Sequence, residues 1–345
     1  MVKSNTQKPL VIPIFLPNIG CVHRCIFCDQ ATITGGDHRL ISADQFNEIV
    51  HTYLPYKNSR RRKTQISFYG GNFLGIKTSF LLSLLEEAAR FIRKGDVDSI
   101  RFSTRPDTIC RKTLDIIKDY PVSTLELGVQ SMNDRVLQLI NRGHTVRDTI
   151  NAVRLLQQSG YEIGLQMMVG LPGDDEKGAF ETARQIVALS PDFVRIYPTV
   201  VLANSPLAAW YKKGEYTPMP LASCVTLVKK IYGLFHDHHI RVVRMGLQAS
   251  ETLDNPEMIL AGPYHPAFGH LVLSEFFLDK AVSALRSMQN LPHHICIKVH
   301  PQNLSKIRGL KNQNLGILKD RFNIETLKII SDMSLKADDL VLSGL

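Results

Sequence analysis

From residue 9 to about residue 250 the chain repeats one rhythm: a short run rich in β-branched and aromatic residues, then a longer run with apolar residues three or four apart. That alternation is the pattern of βα units laid around a parallel sheet. Strands are expected at "LVIPIFL", "TQISFYG", "SIRFSTR", "TLELGVQ", "IGLQMMVGL", "FVRIYPTV" and "IRVVRMGLQ". Among the helical runs, "TSFLLSLLEEAARFIRKG" stops at Gly95, "SADQFNEIVHTYL" starts with Ser42 placed as a cap, and "TVRDTINAVRLLQQSG" ends on Gly160. Six or so units predict an α/β fold, a partial (β/α)6 TIM-type barrel over residues 1–253; periodicity alone also allows a doubly wound open sheet.

Past Leu253 the rhythm breaks. The stretch "NPEMILAGPYHPAFGHLV" is rich in Pro, Gly and His, and after it come a helix at "SEFFLDKAVSALRSM", a strand at "HHICIKVHP", another helix and a last strand. Residues 254–345 therefore read as a C-terminal α/β extension, joined to the barrel or packed across its mouth. At 44% hydrophobic and 21% charged the chain carries enough apolar residues for a large core, which excludes a disordered chain. No run approaches the ~20 apolar residues of a membrane span, and "MVKSNTQKPLVIPIF" lacks a signal-peptide pattern, so a cytoplasmic protein with no membrane contact is expected. The net charge of +9 favours anionic partners, nucleic acid among them, although many small-molecule enzymes are as basic. "SRRRK", residues 59–63, reads as a solvated loop ahead of a strand or as a phosphate contact.

Six cysteines, three of them at positions 21, 25 and 28 and the others scattered at 110, 224 and 296, do not form a disulfide framework and suit a reducing compartment. Cys110, Cys224 and Cys296 read as buried small hydrophobes. The C-x3-C-x2-C spacing of Cys21, Cys25 and Cys28 brings three soft ligands to one loop. A structural zinc site would need a fourth ligand such as His23 or His38. A [4Fe-4S] cube offered only three thiolates would keep one iron open, and that open place would be the site of chemistry. Three free thiols in a turn is the third reading.

Reacting groups of a barrel sit at the carboxyl ends of its strands. There the sequence places Gly70 and Gly71, whose backbone no Cβ shields, then Ser103, Thr104 and Arg105 ahead of Pro106, then Gln130 and Ser131, Gln166, and Tyr197. Each alone reads as a turn or a loop cap; their succession above a three-cysteine loop points to a site.

The cysteine spacing after a first strand, with Phe27 ahead of the third cysteine, resembles the radical S-adenosylmethionine superfamily. In that family S-adenosylmethionine chelates the open iron, and one-electron reduction cleaves it to a 5′-deoxyadenosyl radical. "GVQSMNDRVLQLINRGHT", "LQMMVGLPGD" and "STRPD" are similar to the branch holding the Elongator catalytic subunit and the oxygen-independent coproporphyrinogen III oxidases. The similarity covers residues from about 10 to about 250. It implies Cys21, Cys25 and Cys28 as cluster ligands, Phe27 near the adenine, and Gly70, Gly71 and Asn72 at the methionyl amino group, where the family has Gly-Gly-Glu or Gly-Gly-Thr. It implies Gln130 and Gln166 beside the ribose, Arg142 near the methionyl carboxylate, and Ser103 where porphyrin-type relatives carry a carboxylate. A one-electron reductant of flavodoxin or ferredoxin type is implied as partner.

Substrate contacts then fall to Glu126, Arg105, Arg195, Tyr197, Arg244, Gln248 and His265, with Tyr197, His265 and Arg105 as catalytic candidates. Glu126 and Arg195 read equally well as a buried ion pair, and the turn at His265 as purely structural. The last ~90 residues do not resemble the acetyltransferase domain of Elongator subunits, so carboxymethylation through acetyl-CoA is not expected of this chain alone. Residues 295–335 faintly resemble a KH-type RNA-binding unit, with Asn312 in place of the last glycine of its G-x-x-G loop. The expectation is a radical S-adenosylmethionine enzyme acting on RNA. The alternatives are a coproporphyrinogen-oxidase-like enzyme on a small molecule and a non-catalytic RNA-binding iron-sulfur protein; the oligomeric state stays open.

Overall fold

The structure, a computed structural model, describes residues 9–34, 40–58, 63–248, 253, 255, 257–288 and 291–344. His38 and residues 59–62 of the basic run lie outside the described residues. All seven expected strands form: β1 (Leu10–Phe15), β2 (Thr64–Tyr69), β3 (Ser99–Thr104), β4 (Val122–Gln130), β5 (Glu162–Val169), β6 (Phe193–Pro198) and, after a short β7 (Val201–Leu202), β8 (Arg241–Met245). They pair in parallel in the order β1-β2-β3-β4-β5-β6-β8. A doubly wound sheet would reverse this order at a switch point. The unbroken succession instead curls the sheet into a partial barrel, with β1 and β8 as its two edges. The short β7 pairs antiparallel with β9 (Ile259–Ala261).

Helices α1 (Gln30–Thr34), α2 (Ala43–Tyr53), α3 (Thr78–Arg93), α4 (Arg111–Ile117), α5 (Asp134–Leu139), α6 (Val146–Gln158), α7 (Glu176–Ala188), α8 (Pro206–Lys212) and α9 (Leu221–Asp237) fill the crossovers. Local chemistry starts several of them. Ser42 and Gln45 close a capping box on α2, and Thr145 and Asp148 close one on α6. The outward strand positions, such as Ile12, Ile66, Phe102, Leu125, Leu165 and Ile196, pack with the helices into the main core. The inward positions are of a different kind: Gln65, Tyr69, Arg101, Ser103, Glu126, Gln166 and Arg195 line the concave face. A closed barrel of this type fills its interior with branched apolar side chains. This one keeps a polar lumen.

The C-terminal segment departs from expectation in two ways. Helix α10 (Phe268–Arg286) begins well before "SEFFLDK", because "FGHLV" continues its apolar face. Its first turns, with Phe268 and Val272, belong to the barrel core. Its later residues Phe277, Ala281, Val282 and Leu285 pack into a second core with Ile295, Ile297, Val299, Ile307 and Leu318. One helix thus serves both cores, across the boundary expected near residue 253.

Beyond β10 (His294–Val299) stand two helices, α11 (Leu304–Arg308) and α12 (Gln313–Phe322), on either side of the turn expected at residues 309–312. Gly309, Lys311 and Asn312 take positive φ of 73°, 51° and 63° and break the run. Two strands follow rather than one: β11 (Thr326–Ser331), parallel to β10, and β12 (Leu340–Gly344), antiparallel to it.

This unit does not lie across the mouth. It is joined to α9, where Lys229 meets Asp279 at 2.6 Å and His236 faces Asp338 at 3.4 Å, beside the amino end of β8. Among the described residues no helix is long and apolar enough to cross a membrane.

Because Phe277 is 2% exposed at the centre of the second core, Phe277→Ala should cost about 3–5 kcal/mol in urea denaturation. The loss should appear in the unfolding of the barrel as well, since α10 couples the two cores.

Candidate active site

A cavity of about 2550 Å³ runs through the curl. Its wall at the carboxyl ends of the strands includes Cys21, Cys25, Phe27, Cys28, Gly70, Gly71, Ser103, Arg105, Gln130, Arg142, Gln166 and Tyr197. The structure brings together most of the residues that the sequence singled out, and leaves Asn72, Ser131 and His265 off this wall.

The three cysteines stand on the loop between β1 and α1. The loop is held from one side by the glycine turn after β2. Gly70, at φ 93°, accepts Asn18 N–H at 2.8 Å, and Ile19 accepts Asn72 N–H at 2.9 Å. A Cβ on Gly71 would run into the carbonyl oxygens of Ile19 and Leu16. Glycine is required at this turn because the cysteine loop crosses directly over it. Asn72 is 1% exposed and lies outside the cavity wall. Its amide donates to Gly20 O at 3.0 Å, and its Oδ1 accepts from Thr104 Oγ1 at 2.6 Å, Arg105 N at 3.0 Å and Thr108 Oγ1 at 3.0 Å. Its side chain is a clasp between the cysteine loop and the end of β3, and the amide expected to meet a ligand is already engaged.

From the other side the loop is held by the turn after α5. Asn141 Nδ2 donates to Arg24 O at 2.9 Å, Ile26 N–H to Ile140 O at 3.1 Å, and the His23 ring lies against Gly143, where a Cβ would collide with it. His23 is exposed and its ring packs on that turn at the rim of the cavity. Arg142 is buried beneath, with Nη1 on Cys25 Sγ at 3.3 Å and Nη2 on Gly128 O at 2.6 Å. Burial raises the thiol of Cys21 and pushes that of Cys28 up to about 12. Among the described residues, no three histidine, cysteine or carboxylate side chains converge as the ligands of one ion do. A four-iron cube asks for a wider arrangement, since each thiolate binds a different iron.

Below the cysteines one carboxylate, on β4, gathers a side chain from each of four other strands. Glu126 of β4, fully buried, meets Arg101 of β3 at 2.9 Å, Arg195 of β6 at 2.6 and 3.0 Å, Tyr69 of β2 at 3.0 Å and Gln166 of β5 at 2.9 Å. The ion-pair reading of Glu126 and Arg195 is the one realised. Although burial alone would raise it, the two guanidiniums and the donated hydrogen bonds hold the Glu126 carboxyl at about 2. Gly164, opposite Glu126 in the register, leaves room for the Glu126 stem and the Phe193 ring. Gln166 Nε2 also donates to Ser103 Oγ at 3.2 Å, which orients its amide.

Several buried polar atoms near the cysteine loop have no partner among the described residues: Gln130 Oε1, Arg105 Nη1, Arg142 Nε and both ring nitrogens of His144. Gln130 sits at a strand irregularity with φ of 67°, a strained conformation of the kind that collects at functional sites. Arg105, 1% exposed, is paired through Nε and Nη2 with Asp107 at 2.9 and 3.0 Å, so Nη1 is the edge left over. Burial, reinforced by Arg142 and Arg105, pushes His144 down to about 3, which makes its ring neutral. Phe27 and Tyr197 pack at the border of an apolar cluster with Ile26, Met168 and Leu207.

His265 is not brought to the cavity: its Nδ1 accepts from Ala267 N at 3.0 Å and shapes the turn before α10. Cys224 and Cys296 are buried as expected, whereas Cys110 is exposed at the start of α4, because its strand-to-helix turn lies on the surface. Sequence reasoning did not single out Tyr69, Arg101 and His144. For the first two, inward alternation on β2 and β3 was the available signal.

Three cysteines over the carboxyl mouth of an unclosed parallel barrel define the class. A model of the Radical SAM superfamily matches residues 16–186 and one of the Radical_SAM C-terminal domain matches residues 191–277. The chain belongs to the radical S-adenosylmethionine superfamily, whose members bind a [4Fe-4S] cluster and S-adenosylmethionine, and it is an enzyme of that superfamily.

An uncharacterized protein of Methanocaldococcus jannaschii is 30% identical over 238 residues, 66% of this chain and 72% of that protein. The tRNA uridine(34) acetyltransferase of Dehalococcoides mccartyi is 24% identical over 266 residues, 68% of this chain and 58% of the relative. This chain thus spans little more than half of that enzyme. Among solved structures, the archaeal Methanocaldococcus infernus Elp3 lacking its N-terminus shares the fold, with a TM-score of 0.61 at 21% identity over 79% of this chain and 64% of that one.

Glu126 tests the site's foundation. Its pKa is depressed in the folded chain, so the stability it contributes is present above the ordinary value of 4.5 and is lost as pH falls towards about 2. Glu126→Gln should remove that acid limb and cost about 3–5 kcal/mol at neutral pH, because two buried guanidiniums lose their counter-charge. Thermal unfolding followed against pH reads both effects.

Proposed function

We propose that this protein holds one [4Fe-4S] cluster on Cys21, Cys25 and Cys28, binds S-adenosylmethionine above it, and uses the pair to modify an RNA. The observation that carries the reading is the group of unpartnered buried atoms around the cysteine loop. Each unmade hydrogen bond costs about 1–3 kcal/mol when it is buried. S-adenosylmethionine, with a carboxylate and two ribose hydroxyls, offers the partners they lack. Bound together, cluster and cofactor supply a 5′-deoxyadenosyl radical on one-electron reduction.

The chain's own residues bind and orient. Phe27 and Tyr197, backed by Met168, form an apolar slot suited to an adenine. Gln130 Oε1 accepts from a ribose hydroxyl, and Gln166, its amide nitrogen committed to Ser103 and Glu126, keeps its carbonyl oxygen as a second acceptor. Arg105 Nη1 donates to the methionyl carboxylate. Gly70 and Gly71 set the height of the loop over the turn, and the methionyl amino group meets backbone there. The Glu126 network holds these groups at fixed spacing and carries no proton in the reaction. The electron comes from a donor of flavodoxin or ferredoxin class.

Three features support RNA as substrate: the net charge of +9, the tRNA-modifying relative, and the turn between α11 and α12. There Arg308 and Lys311 are exposed around a backbone that turns through left-handed Lys311 and Asn312, at the place where a KH-type unit carries its phosphate-clamping loop.

Reconstituted with iron and sulfide, and given dithionite and S-adenosylmethionine, the protein should release 5′-deoxyadenosine. Cys25→Ala should reduce that product to background; a filled cluster that yields none would sink the reading. For the substrate, wild-type protein should crosslink tRNA with a yield that falls as salt rises. The double variant Arg308→Glu with Lys311→Glu should retain it several-fold less and show a shallower salt dependence. Equal retention by the two proteins would remove the C-terminal turn from the RNA surface.

A further inference from the structure

Arg142 ties the cysteine loop to β4 through its guanidinium. Of its five N–H donors, one on Nη2 goes to Gly128 O at 2.6 Å and one on Nη1 to Cys25 Sγ at 3.3 Å. The surroundings are built to keep it so. A Cβ at position 128 would lie 2.7 Å from Nη2, so glycine is what admits the guanidinium against β4. Asn141 and Ile140 on one side of Arg142 are bonded to Arg24 and Ile26, and Gly143 on the other side carries the His23 ring. The whole turn is therefore clamped to the cysteine loop, with Arg142 aimed at the middle cysteine. Cys28, by contrast, receives the neutral amide of Gln30 at 3.5 Å.

We propose that Arg142 is a positioning residue for electron uptake: its charged hydrogen bond to Cys25 raises the reduction potential of the cluster that Cys25 helps to hold. The inference rests on the cysteine assignment above. Reduction adds one electron and no proton, taking the cluster from its 2+ to its 1+ state. A buried cation beside a ligand sulfur stabilises the more negative state more strongly.

The test uses the full chain, reconstituted anaerobically without S-adenosylmethionine and titrated with dithionite under electron paramagnetic resonance, alongside iron and sulfide counts and circular dichroism. In Arg142→Gln the ratio of reduced to oxidised cluster at a fixed potential should drop at least tenfold, which for a one-electron couple is about 59 mV. Arg142→Lys, which keeps the charge but not the geometry, should fall between. Gly128→Ala, which displaces the guanidinium while leaving it in the chain, should shift the same way.

Arg105→Gln should weaken S-adenosylmethionine binding and leave the potential unmoved. An Arg142→Gln protein with a full cluster and the wild-type potential overturns the proposal while leaving the cysteine reading intact. Should Arg142→Gln fail to retain iron, unshifted potentials in both Arg142→Lys and Gly128→Ala overturn it equally. A wild-type protein that takes up no cluster defeats the cysteine reading, and this inference with it.

Discussion

One carboxylate holds the concave face of this protein together. Glu126 draws Tyr69, Arg101, Gln166 and Arg195 onto itself, so that β2 to β6 are tied across the lumen as well as along their edges. A lone ion there would be expelled by its desolvation cost; two guanidiniums and two neutral donors reverse the balance. The consequence is a barrel whose interior is spaced by charge. Apolar packing would close the lumen, whereas this network keeps it open above the network and orients the Gln166 amide at the same stroke.

The cysteine loop depends on a second constraint, close approach of backbone to backbone. Gly71 lies directly under Ile19, and Gly143 directly under His23. A loop of three cysteines is useful only if its sulfurs face the lumen, and these two contacts, with the Asn72 clasp, set that direction. The site is therefore preorganised by neutral hydrogen bonds and missing Cβ atoms, while its charges point inward to where a ligand would sit.

Much of this was legible beforehand. The seven strands, the cap at Ser42, the stop at Gly160 and the strand-end positions Gly70, Ser103, Gln130, Gln166 and Tyr197 all follow from alternation and turn chemistry, which are local. Where reading failed, the reason was a contact that no local pattern encodes. Asn72 was placed at the right turn, yet its side chain points away from the lumen because Thr104, Arg105 and Thr108 supply three donors there. Of the two readings of His265, a substrate contact and a structural turn, the turn is the one that forms, and α10 begins early because its first apolar residues find the barrel core.

The sequence by itself determined the order of strands and helices, the parallel curl that order implies, and a donor set of three thiolates on the first loop, because spacing and periodicity act between near neighbours. Only the tertiary structure decided which charges meet. Arg142 reaches Cys25 across 117 residues of chain, and Arg195 reaches Glu126 across 69. Pairings of that kind are set by how strands stack and how a loop crosses a turn, and burial then makes them strong by removing the water that would have answered each charge alone.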